Sequence, residues 1–171
     1  IHYENMSLAL AESLANAGQG PIYKMAFGNG GTAVDLTGII TYLTPNSTGT
    51  NASLYNQTFA KVVDDQASNN TDPVRNKIET RHVSGTNYTD ILVSCLLDYG
   101  EPSGQDAFDT TTNTENLYVF DELGLISAGA SGADGRLLTH VIFHPVQKSL
   151  NRLIQIDYTV RVQSLTGFNE V

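Results

Sequence analysis

With no tryptophan, one cysteine and only nine basic residues against eighteen acidic ones, this 171-residue chain excludes several functions at the outset. A lone Cys95 cannot form a disulfide within the chain and falls short of a thiolate metal site. It sits in the apolar run Ile91-Leu92-Val93-Ser94-Cys95-Leu96-Leu97, which reads as a buried strand with a packed core thiol. The basic residues are scattered singly and the net charge is −9, so the chain lacks the basic stripe that a nucleic-acid partner requires. A sequence pI near 4.6 speaks mainly for solubility and for repulsion of other acidic bodies. The N-terminus carries no basic segment followed by an apolar core, so no signal peptide is expected. No run approaches the ~18 apolar residues of a membrane span, so a membrane partner is not expected either.

What is present favours β structure. Hydrophobic residues make up 40% and charged residues only 16%, and Thr, Asn, Ser and Gly fill much of the difference, a mixture suited to strands joined by turn-rich loops. The length fits a single domain over residues 1–171, and a core of that size needs no metal or disulfide. One helix is expected over 5–17, where Met6, Leu10 and Leu14 form an apolar stripe. Asn5 would cap it, with Glu4 near the positive end of the dipole, and Gly18 and Gly20 would end it.

Everything after Gly20 reads as strand and loop. Tyr23, Met25 and Phe27 alternate onto one face before the turn Gly28-Asn29-Gly30-Gly31. Residues 34–43 form a second extended piece, 44–53 a loop, 54–63 a strand, and 64–73 a polar loop. Residues 77–83 and 88–99 make a hairpin around Ser84-Gly85-Thr86-Asn87. A long polar loop spans 100–116, with Phe108 as its natural anchor. Strands at 117–126 and 137–143 flank a turn that ends at Gly135, and Gly124 inside the first marks a bulge or a close backbone approach. The last strand, 150–162, alternates strictly, with Ile154, Ile156, Tyr158, Val160 and Val162 on one face. One dry and one wet face imply an antiparallel β-sandwich-like domain.

Catalytic and metal patterns fail one by one, so neither an enzyme nor a cofactor is expected. His140 and His144 have the spacing of a helical zinc pair, but Pro145 and the apolar run around them indicate a strand, which would hold them roughly 13 Å apart as surface or interface residues. The Gly28–Gly31 turn follows a strand as a phosphate-cradling loop does, yet neither helix nor Lys-Ser/Thr follows it. Asp64-Asp65 and Asp106 with Asp109 could gather calcium, but they lack the alternating ligand spacing. No serine sits in a nucleophile elbow. Asn-x-Ser/Thr triplets at Asn5, Asn46, Asn51, Asn56, Asn69 and Asn87 follow from an Asn- and Thr-rich composition.

Three stretches carry a family likeness. Leu8-Ala9-Leu10-Ala11-Glu12-Ser13-Leu14-Ala15 followed by Ile22-Tyr23-Lys24-Met25-Ala26-Phe27-Gly28-Asn29-Gly30-Gly31 resembles the opening of the phage tail-collar fibre family. Phe120-Asp121-Glu122-Leu123-Gly124-Leu125-Ile126, with Asp134-Gly135-Arg136-Leu137-Leu138 after it, is similar to a later strand pair of that family. Phe143-His144-Pro145-Val146-Gln147-Lys148 before a last alternating strand resembles endings among virion structural proteins. The resemblance implies a virion protein, assembled in the bacterial host cytoplasm, whose partners are other virion proteins and further copies of itself in a trimer or hexamer. In that family the domain heads a longer fibre chain; a copy ending at Val171 would suit a tail, collar or baseplate adaptor, or a capsid decoration subunit. Met6, Leu10, Leu14 and Phe108 are the expected interface residues, and Gly28, Gly30, Gly31, Gly124, Gly135 and Pro145 the expected structural ones. From another class, a carbohydrate-binding module stays open through the eight tyrosines.

Overall fold

The computed structural model describes residues 1–105 and 118–165. Helix α1 covers Tyr3–Leu14, two residues earlier at its start and three shorter at its end than the sequence pattern suggests. His2, not Asn5, caps it: the ring Nδ1 accepts from the Asn5 amide at 3.1 Å. Asn5 is fully buried and donates instead to the Leu137 carbonyl at 2.9 Å. That bond turns the helix so that Asn5 and Ala9 face inward, while Leu10 and Leu14 are 40% and 88% exposed. Of the expected stripe only Met6 packs against the core. Small residues permit the close seat: a Cβ on Gly20 would lie 2.5 Å from the Ala9 carbonyl oxygen.

Among the described residues ten strands follow: β1 (Ile22–Gly28), β2 (Thr32–Val34), β3 (Ile40–Tyr42), β4 (Gln57–Val62), β5 (Lys77–His82), β6 (Tyr88–Leu97), β7 (Val119–Ala128), β8 (Asp134–Leu137), β9 (Val141–Gln147) and β10 (Ile154–Gln163). All pairings are antiparallel. A large sheet runs β4-β1-β7-β8, with β9 also on β7, and a small one runs β10-β6-β5. One apolar cluster draws on both sheets, with Met25, Phe27 and Leu125 from the first and Val93, Cys95 and Val160 from the second, so the sheets are the two layers of a sandwich. Phe27 stacks on Phe120 with ring centroids 5.3 Å apart. Lys61 of β4, 8% exposed, joins the layers at one side by donating to the Leu96 carbonyl at 2.6 Å and pairing with Glu101 at 2.5 Å.

The wet-and-dry expectation holds for β10 but not for the large sheet. Residues 120–127 of β7 are buried without alternation, because a second apolar cluster of Ala26, Leu54, Ile126 and Leu137 covers the sheet's other face. Two expected strands are also divided. Residues 34–43 contain a hairpin turn, since the Asp35 carboxylate accepts from the amides of Thr37 and Ile39 and Gly38 takes a φ of +85°. The 137–143 run is broken because the Thr139 hydroxyl, not a backbone carbonyl, receives the Leu125 amide. Pro145 lies in the part of β9 that β7 skips, where no ladder amide is needed. Gly135 packs against Ser127, where a Cβ would lie 2.7 Å from the Ser127 carbonyl oxygen.

The described start of the 100–116 loop is folded onto the domain. Glu101 pairs with Lys61, and Gln105, buried, donates to the Tyr99 carbonyl at 2.7 Å. Lys148, 1% exposed, lies within reach of Tyr99, Gln105 and Ser149 oxygens, and burial holds its ammonium below the ordinary lysine value. Phe108, Asp106 and Asp109 lie outside the described residues. Among the described residues no helix is long and apolar enough to cross a membrane.

Gly124 marks close approach, not a bulge. Its register with Ala26 is regular, and a Cβ there would meet the Thr139 carbonyl and stand 2.7 Å from Leu137 Cδ1. Gly124→Val should therefore cost about 1–3 kcal/mol through overpacking. Urea unfolding measures it, and a variant as stable as the parent would show that the segment at Thr139 gives way freely.

Candidate functional site

The site is an exposed apolar hairpin and the buried acids that hold it. Asp121 and Glu122 are consecutive on β7, at the irregularity in its pairing with β9, and both are buried. A buried carboxylate requires donors on every side. Asp121 receives the amides of Gly31 and Thr32 at 2.9 and 3.0 Å and the Thr32 hydroxyl at 2.6 Å. Glu122 receives the amides of Gly30, Tyr55 and Asn56 at 3.1, 2.9 and 2.8 Å, and His140 Nε2 at 2.8 Å. The Gly28–Gly31 turn is thus an anion cradle whose anions belong to the chain itself. Its glycines let the backbones meet: a Cβ on Gly30 would stand 2.7 Å from Tyr55 Cβ.

His140 corrects the expectation of two surface histidines. It is 4% exposed, and its Nδ1 accepts from the Asn46 amide at 2.8 Å. A ring that accepts at Nδ1 carries its proton on Nε2, so a neutral imidazole donates to the Glu122 carboxylate. His144 is exposed, with Nδ1 3.3 Å from the Tyr42 hydroxyl. Burial pushes the Glu122 carboxyl up, but bonds from His140, Asn56, Tyr55 and Gly30 outweigh it and hold the group below the usual glutamate value.

Beside this anchor lies the β2–β3 hairpin, a two-stranded sheet that among the described residues forms no ladder with another strand and touches β9 through Tyr42 and His144. Val34, Leu36, Ile39, Tyr42 and Leu43 are 63%, 107%, 60%, 54% and 42% exposed. Isolated two-stranded hairpins are marginal in water. This one is preset at both ends, by Asp121 at its base and by Asp35 in its turn. Sequence reasoning missed it because the extended piece was read as one strand; Asp35-Leu36-Thr37-Gly38, a side-chain-capped turn, was the available signal.

Of the expected interface residues, Met6 and Leu10 line an apolar groove of about 260 Å³, together with Ile78, Ile91, Val160 and Val162. Leu14 stands in solvent at the end of α1 and away from that lining. A second hollow of about 190 Å³ opens between β9 and β10, lined by Phe143, Val146, Ile154 and Ile156 among others. Among the described residues no three His, Cys, Asp or Glu side chains converge as a metal site would need. Comparison with family models, curated proteins and solved structures finds no match.

The anchor makes a pH-dependent prediction. A carboxyl whose value is lower in the folded than in the unfolded chain stabilises the fold above the unfolded value of about 4.3. That contribution disappears as pH falls through the depressed folded value. Glu122→Gln should cost about 3 kcal/mol at neutral pH by leaving backbone donors poorly matched. In urea titrations its deficit against the parent should shrink in acid; a deficit unchanged into strong acid would mean that Glu122 does not carry the buried charge.

Proposed function

We propose that this chain is a structural component of a tailed-phage particle that attaches neighbouring subunits, as a tail, collar, baseplate or fibre-attachment adaptor. The observation that carries the reading is the β2–β3 hairpin, an arm with five large apolar side chains in water on a base fixed by buried bonds. An arm of that kind is a cost to a free monomer and a gain once a neighbour covers it, because exposed apolar clusters are what subunit contacts bury. Fixing it in advance reduces the entropy lost on docking. Leu36 and Ile39, at the turn, are the expected anchors, the few side chains on which most binding energy falls. The resemblance of the flanking Gly28–Gly31 and Asp121–Gly124 stretches to the tail-collar fibre family supplies the class of particle.

The test is replacement in a phage that encodes the chain. Leu36→Asp with Ile39→Asp should leave the free protein's stability within about 0.5 kcal/mol of the parent, since both side chains are exposed. Purified particles should then lack the protein and lose infectivity. Particles that retain it at full copy number would overturn the arm's role, and a parent protein absent from particles would overturn the virion reading itself. Gold-labelled antibody on the parent particle places it on tail or capsid.

A further inference from the structure

A different edge of the molecule points to a partner of known sequence. Strand β10 pairs with β6 over all ten residues without a register shift, and among the described residues it pairs with nothing else. The Ser164 amide donates to the Asn87 carbonyl at 2.9 Å, one step beyond this ladder. Antiparallel pairs alternate between bonded and unbonded positions, so even-numbered residues of β10 turn their amides and carbonyls toward β6. The odd-numbered residues, Gln155, Asp157, Thr159, Arg161 and Gln163, turn theirs outward. Their side chains are also exposed, on the sheet face away from the core. The edge carries no proline and no bulge, the usual guards against strand addition. By contrast the opposite edge, β5, carries Lys77, Glu79 and Arg81.

We infer that β10 pairs with β10 of a second copy about a twofold axis through Thr159, joining the two small sheets into one of six strands. The sequence of the strand is self-complementary in that register alone of those centred near its middle. Thr159 faces itself, Asp157 faces Arg161 of the second copy, Arg161 faces Asp157 of the second copy, and Gln155 faces Gln163. On the other face Ile156 meets Val162, and Tyr158 meets Val160. All five outward-turned residues fall at bonded positions, so every free amide and carbonyl of the edge is used. The charges continue a row already present: Arg81, Asp90 and Arg161 lie side by side across β5, β6 and β10. Asp157 of the second copy comes next. Asp90 occupies Nε and Nη2 of Arg161 at 2.7 and 2.9 Å, leaving Nη1 for the new carboxylate. Asp157 accepts from Ser94 at 3.0 Å and retains a second oxygen. Ile156 lines one apolar hollow and Val162 the other, so each copy's hollow gains an apolar neighbour from its mate. The inference concerns β10 and stands apart from the virion reading. A twofold contact gives a dimer or, with a threefold contact elsewhere, a hexamer.

A charge exchange tests both the contact and its register. In sedimentation equilibrium the parent should self-associate through this contact. Asp157→Arg and Arg161→Asp, each alone, set like charges opposite one another twice, and should raise the dissociation constant roughly tenfold to a hundredfold. Mixed in equal amounts, the two variants should form a heterodimer of parental affinity, because every facing pair is again opposite in sign. A parent that stays monomeric at every concentration overturns the inference, as do single variants that associate like the parent or a mixture that does not recover. Should either variant misfold by circular dichroism, Thr159→Cys gives an independent reading. Bonded antiparallel residues have Cα atoms about 5.5 Å apart, within disulfide range. The introduced thiols should join across the axis on mild oxidation, while Cys95, buried and pushed up to about 12, stays out of the exchange. No cross-linked dimer means no such axis.

Discussion

Two carboxylates with no access to water organise this molecule. Asp121 and Glu122 follow one another on β7 of the large sheet, both out of water, and each has to be met by hydrogen-bond donors. The backbone supplies most of them. Gly30, Gly31 and Thr32 give up amides at the head of the hairpin, and Tyr55 and Asn56 give up theirs just before β4. His140 leaves the strand pattern for the same reason, and Asn46 follows it to serve the far side of the ring. Irregular segments that are distant in sequence thus converge on one pair of residues.

That convergence explains what could be seen in the sequence and what could not. The β5–β6 hairpin and β10 were legible because their structure is local or one-sided: a Gly turn in the first, strict alternation in the second. Met25 and Phe27 were legible for the same reason. The helix was placed correctly but turned wrongly, since the pattern weighed Leu10 and Leu14 by hydrophobicity while a buried Asn5 amide fixes the actual orientation. His140 looked like a surface residue because nothing near it in sequence satisfies it; its partners are 18 and 94 residues away. Long-range polar bonds leave no period to read.

The edges of the two sheets are managed differently. At β4, Lys61 reaches across to the small sheet and closes that side with a buried ammonium. At β5 the charged side chains discourage another strand. Neither device guards β10, whose outward charges are arranged in complementary order instead. The hairpin is a third kind of surface, apolar and exposed. In the two proposals one small chain offers two contacts of different chemistry, one apolar and one backbone-mediated. Contacts of unlike chemistry on one subunit do not compete for the same partner surface.

The attachment of the hairpin also has a mechanical meaning. Its first strand leaves the body at Thr32, and Gly31 and Thr32 are bonded to Asp121, a residue of β7. A pull on the hairpin passes along the chain into β1 and through that carboxylate into β7, two strands of the large sheet that are each paired on both sides. Rows of ladder bonds then share the load instead of breaking one after another from a frayed end. The arm is rooted where tension is spread most widely.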